Sequence, residues 1–103
     1  MLRYEIYIND ILSMIERIEK TNLKQLKEVD VWDSTLMRLQ VIGESVKKIP
    51  KQIKNKHKEI SWDYFAGLRN IISHTYTRVL PEMVEDIIKN EIPKLKETIL
   101  KIK

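Results

Sequence analysis

The chain has 103 residues, of which 43% are hydrophobic and 33% charged, with a formal net charge of +4, two glycines, three prolines and no cysteine. That length builds one core and not two, and the scarcity of Gly and Pro argues against both a disordered segment and a loop-rich β-sandwich. Without cysteine there is no disulfide framework, zinc ribbon or thiolate nucleophile, and metal binding loses its best ligands. The expectation is one all-α domain over residues 1–103, an antiparallel bundle of four to five helices, with no cofactor and no metal. Met1-Leu2-Arg3-Tyr4-Glu5 mixes polar and apolar residues and does not read as a secretory leader. No run of roughly 18 apolar residues occurs, so no membrane association is expected and a reducing cytoplasm is the expected location. The positive charge is compatible with a polyanionic partner, although a Lys, Glu and Ile bias of this kind also occurs in heat-adapted proteins.

Tyr4, Ile8, Ile11, Ile15 and Ile18 recur at spacings of four, three, four and three, which predicts a first helix from about Leu2 to Lys20. Tyr7 and Met14 broaden its apolar face enough to meet two neighbours. Residues 23–33 keep a weaker helical spacing through Leu23, Leu26 and Val29 and read as a connector or as the start of helix two. Trp32, Leu36, Leu39, Gly43 and Val46 form the second stripe, with Asp33 or Ser34 as a cap and Pro50 closing it. Gly43 in mid-helix costs about 1 kcal/mol against alanine, and close approach of another helix is its expected reason. Residues 47–58 hold six lysines, His57 and no acid. Ser61 reads as the N-cap of a third helix whose buried face is Trp62, Phe65, Leu68, Ile72 and Tyr76. Pro81 restarts a last helix bearing Met83, Ile87, Ile92, Leu95, Ile99 and Ile102, with Pro93 bending or splitting it near Asn90.

The third helix carries chemistry-bearing residues toward its end. At about 100° per residue, Asn70 and His74 share one stripe, while Arg69, Ser73 and Tyr76 share the next. An imidazole with an ordinary pKa near 6.5 accepts or donates a proton at neutral pH, and a guanidinium grips a phosphate through two parallel hydrogen bonds. This combination suits attack of an RNA 2′-hydroxyl on the adjacent phosphorus, with His74 as general base or acid and Arg69 stabilising the charged phosphorane, without a metal. His57 and His74 are the two histidines, and His57 falls in the lysine-rich window. A second proton-transfer group would come from a homodimer in which two copies of helix three meet across a two-fold axis, pairing His74 with His74 and lining the active cleft with Arg69.

Arg69, four residues, His74, one residue and Tyr76, with Asn70 directly after the arginine, resembles the signature of HEPN-domain ribonucleases and, more narrowly, of the HepT-like toxins. Gln40-Val41-Ile42-Gly43-Glu44-Ser45 is similar to that family's second-helix segment, and Trp62 through Leu68 to its lead-in. Length, helix order and the Pro93 region fit as well. The resemblance implies metal-independent RNA cleavage by Arg69 and His74, with Asn70 orienting the site. It also implies a toxin of a type VII-like toxin–antitoxin pair, silenced by a minimal nucleotidyltransferase antitoxin that transfers AMP from ATP to Tyr76. Thr77-Arg78-Val79-Leu80 departs from the small or aromatic turn and the acidic residue that relatives often have there, which bears on the fit to that partner.

Other readings of the same residues stand beside these. Tyr76 continues a core stripe and reads equally as packing. Ser73, Lys47, Lys48 and Lys51 are candidate contacts to RNA or a partner, while a solvated loop is the default for such a charge run. Glu44 reads either as part of the site or as a surface residue near the Gly43 contact, with a structural or interface role favoured, and Trp32 and Trp62 are assigned to the core. A non-catalytic module holding a nucleotide or the nucleotidyltransferase, and a purely structural dimerisation bundle, are the competing functions.

Overall fold

The computed structural model describes residues 3–74 and 79–103, with Ser73 and His74 described through their backbone alone. Among the described residues every regular element is a helix, joined by short turns. Helix α1 spans Tyr4–Glu19 and buries Ile8, Ile11, Leu12, Ile15 and Ile18, the periodic stripe expected for it. It ends at Lys20, with the Thr21 hydroxyl donating to the Arg17 carbonyl at 3.4 Å. A single 3₁₀ turn, Leu23–Gln25, follows, capped by Asn22, whose Oδ1 accepts from the Lys24 amide at 3.0 Å.

Helix α2 covers Val29–Lys47, so residues 23–33 divide into a turn and the true beginning of this helix. Glu28 occupies the N-cap position without a side-chain cap bond. Asp33 and Ser34 are therefore not caps: both lie inside the helix, and the Ser34 hydroxyl donates backward to the Asp30 carbonyl at 2.7 Å. The first turn escapes an apolar-period reading because Val29 is 72% exposed and contributes nothing to the core. Within the lysine-rich window, Pro50 precedes a short helix α3, Lys51–Lys56, that the charge run conceals.

Helix α4 runs Trp62–His74. Its start is the one expected, with the Tyr64 amide donating to Ser61 Oγ at 3.3 Å. Trp62, Phe65, Leu68 and Ile72 are buried, and the Trp62 indole donates to the His57 carbonyl at 2.8 Å, closing the link between α3 and α4. Trp32 is only half-buried and packs against the edge of the core.

Helix α5, Pro81–Asp86, and helix α6, Ile92–Ile102, form one rod joined by a π turn, Ile87–Glu91. The Ile92 amide reaches back five residues to the Ile87 carbonyl. An α-helix would rotate Ile92 by about 140° away from Ile87, whereas the wider π turn returns both to the core. The same turn places Pro93 at the beginning of α6, where its missing N–H breaks no ladder. Val84, not Met83, is the buried residue of α5, and Met83 is exposed.

One continuous core joins these elements: Ile11 and Ile15 of α1, Leu36, Leu39 and Ile42 of α2, Phe65 and Leu68 of α4, and Leu95 and Ile99 of α6. Each fully buried aliphatic side chain of this size stabilises the fold by roughly 1.5–3 kcal/mol before entropy is charged against it. Helices α2 and α4 form the most extensive contact in the molecule. Among the described residues, no helix is long and apolar enough to cross a membrane.

Candidate functional site

Arg69 takes its position from two neighbours on α2. A Cβ built on Gly43 would lie 3.0 Å from the Arg69 amide nitrogen, 3.1 Å from the Phe65 carbonyl oxygen and 3.3 Å from the Arg69 Cβ. Gly43 therefore lets the two helix backbones close on each other, as expected from its mid-helix position. The next residue, Glu44, lies at the edge of that contact and forms an ion pair through Oε1 with Arg69 Nε. Both side chains are about half-exposed, so the pair sits at the rim of the helix interface and not in the core.

An acid–arginine pair in this setting contributes modestly to stability, about 0–1 kcal/mol. Its larger effect is orientational. Engaging Nε restrains the guanidinium and leaves donor capacity on its two terminal nitrogens. The pairing of Glu44 with Arg69 was only partly visible in the sequence. Its adjacency to a glycine that marks a helix crossing is the signal that points across to the arginine.

Asn70 follows Arg69 on α4 and is exposed, beside Ile71, which is 41% exposed despite its aliphatic side chain. The helical backbone continues through Ser73 and His74, so the axial rise from Arg69 to His74 is about 7.5 Å. The side chains of Ser73 and His74, and Tyr76 entirely, lie outside the described residues.

The candidate lysines divide. Lys47 is exposed in the last turn of α2, about one turn beyond Glu44. The Lys48 ammonium lies 5.8 Å from the centroid of the Tyr7 ring and is directed toward α1. Lys51 opens α3 and lines a cleft of about 510 Å³ together with Lys54 and Lys58. Burial lowers the pKa of Lys54, with Asp63 opposing and Lys51 adding to that shift. His57 is engaged elsewhere: its Nδ1 lies 3.5 Å from Glu59 Oε2, which also accepts from the buried Thr98 hydroxyl at 3.3 Å and lies 3.7 Å from Lys101 Nζ. This cluster ties the α3–α4 link to α6. The pKa of Glu59 is lowered first by a hydrogen bond from its own backbone amide, then by Lys101, Thr98 and His57.

A sequence model described as "Ribonuclease HepT-like" matches residues 4–102. The chain belongs to the HepT-like ribonuclease family. This HepT-like chain is 33% identical over 95 residues to a protein of Thermococcus cleftensis named "Probable ribonuclease HepT", covering 87% of this chain and 86% of that one. It is 31% identical over 90 residues to a "Putative RNase" of Caldanaerobacter subterraneus, covering 86% and 80% of the two chains. A Methanocaldococcus jannaschii protein named "Gamma-glutamylcyclotransferase and putative RNase" is 38% identical over 104 residues; the match takes in 95% of this chain and 46% of that protein, so the HepT-like chain spans about half its length. No solved structure matches. The family match supports ribonuclease activity at the level of the family.

Proposed function

We propose that the chain is a metal-independent endoribonuclease toxin, acting as a homodimer with its active cleft at the subunit interface. The observation that carries this reading is the Glu44–Arg69 pair, which restrains a guanidinium about 1.4 helical turns from His74 in a family described as ribonucleases. In the proposed reaction the 2′-hydroxyl oxygen attacks the adjacent phosphorus, the bond from phosphorus to the 5′-oxygen breaks, and the products are a 2′,3′-cyclic phosphate and a 5′-hydroxyl. One His74 takes the 2′-hydroxyl proton, and the partner subunit's His74 gives a proton to the leaving oxygen. Arg69 stabilises the extra negative charge on the phosphorane, and Asn70 orients the reacting groups. Ser73, Lys47, Lys48 and Lys51 supply secondary contacts to RNA or to a partner, with Lys48 the weakest candidate because it is directed at Tyr7.

In the same proposal a minimal nucleotidyltransferase antitoxin silences the toxin. The Tyr76 hydroxyl attacks the α-phosphorus of ATP, pyrophosphate leaves and the phenolic proton is released. The AMP group then places an anion beside Arg69 and His74 and competes with the RNA phosphate. This makes the chain the toxin of a type VII-like pair, one domain over residues 1–103, working in the cytoplasm.

The test is cleavage of end-labelled single-stranded RNA in excess chelator by wild type, Arg69→Ala and His74→Ala, with Tyr76 shown by mass to be unmodified. Cleavage by wild type alone, with cyclic phosphate ends, is the expected result. Intact RNA in every lane across several RNA types refutes it and favours a non-catalytic module that binds a nucleotide or the nucleotidyltransferase.

A further inference from the structure

The chain's excess positive charge is concentrated in one short segment. Residues 47–58 carry six lysines and no acid, while the whole chain carries a net +4, so the remainder is net negative by two. Attraction of a polyanion therefore falls to α3 and its flanks. Three of these lysines, Lys51, Lys54 and Lys58, converge on the cleft of about 510 Å³ between α3 and the start of α4, with Asp63 as the one acid lining it. None of the three forms an ion pair among the described residues, whereas Lys89, Lys94, Lys96 and Lys101 of the C-terminal rod each pair with a glutamate. Solvation accounts for Lys51 and Lys58, which are exposed, but not for Lys54. Lys54 is half-buried, and burial and Lys51 both disfavour its charged form, with Asp63 alone opposing them. A phosphate in the cleft supplies the missing counter-charge. Asn55 adds an amide donor, and Ser61 Oγ already accepts from the Tyr64 amide, which leaves its hydroxyl proton to donate.

This cleft lies in line with the motif. On α4, Asp63, Gly67 and Asn70 fall within about 60° of one another, on the side of the helix turned away from the Phe65 and Arg69 backbone that meets α2. Asp63 and Asn70 are exposed, and a Cβ on Gly67 meets nothing within 4 Å, so the strip between them is open. The axial rise from Asp63 to Asn70 is about 10 Å, roughly three nucleotides at the ~3.4 Å stacked spacing of one strand. A strand whose reacting phosphate sits at Arg69 and Asn70 therefore brings a neighbouring phosphate to the lysines. Lysine is a point charge on a flexible stem, suited to hold a backbone phosphate without reading a base.

Resting on the ribonuclease reading above, we infer that the α3–α4 cleft is a second phosphate site for the RNA substrate, where Lys51, Lys54 and Lys58 hold the backbone about three nucleotides from the scissile bond. The experiment uses the full chain carrying His74→Ala, so that RNA stays intact, and follows the anisotropy of a fluorescein-labelled decauridylate across a salt series. For a single strand, each phosphate contact contributes about 0.7 to the slope of log K against log salt. Adding Lys51→Gln, Lys54→Gln and Lys58→Gln together should flatten that slope by about 1–2 and weaken binding at low salt by about tenfold or more. Because Lys54 is half-buried, Lys51→Gln with Lys58→Gln, both exposed positions, provides a second variant expected to flatten the slope by about 0.7–1.4 while leaving the thermal midpoint near that of the His74→Ala parent. Lys89→Gln with Lys94→Gln removes the same charge as that pair from positions already matched by glutamates and should leave the slope nearly unchanged. A slope that neither set of cleft variants alters, while wild type cleaves RNA in chelator, overturns the inference alone and leaves the cleft to an acidic protein surface. Equal flattening by the Lys89 and Lys94 variants overturns it too, since net charge and not the cleft would then be responsible, and so does absence of RNA binding by the folded parent. A slope flattened by the cleft variants alone, with no cleavage by wild type, supports the RNA site and overturns the ribonuclease reading instead.

Discussion

Replacing Gly43 by alanine places a methyl group 3.0 Å from the Arg69 amide nitrogen and 3.1 Å from the Phe65 carbonyl oxygen. Both are backbone atoms of α4, so no side-chain rotation relieves the contact and the helices must separate by a few tenths of an ångström. Alanine gains about 1 kcal/mol of helix propensity. Overpacking a tight contact costs about 1–3 kcal/mol. The balance is a net loss of about 1 kcal/mol, which corresponds to a fall of about 4–8 °C in the thermal midpoint for a domain of this size.

Gly67 is the internal control. It lies in the same helix α4, but a Cβ there meets nothing within 4 Å. Gly67→Ala should therefore collect the propensity gain alone and stabilise by about 0.5–1 kcal/mol. Urea unfolding of the two variants against wild type reads both signs, and unchanged m-values keep the comparison within two-state terms. Gly43→Ala stabilising the protein as much as Gly67→Ala would falsify the close-approach account. Because the same shift displaces Arg69, Gly43→Ala should also lower RNA cleavage, whereas Gly67→Ala should not act through that contact.

Glu44→Gln should change stability by less than about 1 kcal/mol, since the pair is half-exposed, yet lower cleavage by about tenfold, chiefly in kcat; an unchanged kcat in single-turnover assays refutes the positioning role. Thr98→Val removes the hydrogen bond to Glu59 from a buried hydroxyl and should cost about 1 kcal/mol in urea unfolding. The folded-state pKa of Glu59 lies below its ordinary value of 4.5, so its stabilisation is present above that pH and is lost as pH falls through the lower folded value. The thermal-midpoint gap between wild type and Glu59→Gln should accordingly be full near pH 6–7 and close on acidification, and a gap that widens instead refutes the sign. Deleting the exposed Asn90 turns the five-residue step from Ile87 to Ile92 into an α-helical four but traps Pro93 inside the ladder, a cost of about 3 kcal/mol. The same deletion combined with Pro93→Ala should recover most of that loss in thermal unfolding.

The elements visible in the sequence were those whose apolar residues keep a strict helical period. Helix α1 and the buried face of α4 follow theirs, and Ser61 announces the start of α4 through ordinary capping chemistry. The start of α2 was hidden because its first turn is solvent-exposed, and polar residues that look like caps, Asp33 and Ser34, follow within the helix. Helix α3 offers no apolar stripe to detect, since only Ile53 of its residues packs on the core. In the last helix, the step of five from Ile87 to Ile92 contained the π turn, but an α-helical period alone assigns Met83 to the core where Val84 belongs. For the site, the Arg69 position was legible as a motif. Glu44 was legible only as a candidate beside Gly43, and its pairing with Arg69 was not, because pairing between helices depends on the crossing geometry and not on spacing along one chain.

That crossing geometry also ties a glycine and a glutamate to the position of the arginine. Gly43 sets how near α4 comes to α2, and this distance decides whether Glu44 reaches Arg69 Nε from the rim. A larger residue at position 43 would shift α4 against α2 by a few tenths of an ångström and change the geometry in which the two charged side chains meet. Placing the pair on two packed helices, and not on a loop, gives it the precision of the core beneath it, where Leu39, Ile42, Phe65 and Leu68 are almost completely buried. The exposed remainder of the motif face, Asn70 and Ile71, lies beside that fixed arginine. An apolar side chain exposed next to a charged corner suits a surface that a second subunit covers, consistent with the proposed dimeric cleft. Measuring the sedimentation of Ile71→Asp against wild type tests this last step: loss of the dimer together with loss of cleavage is expected, and a monomer that still cleaves at the wild-type rate refutes it.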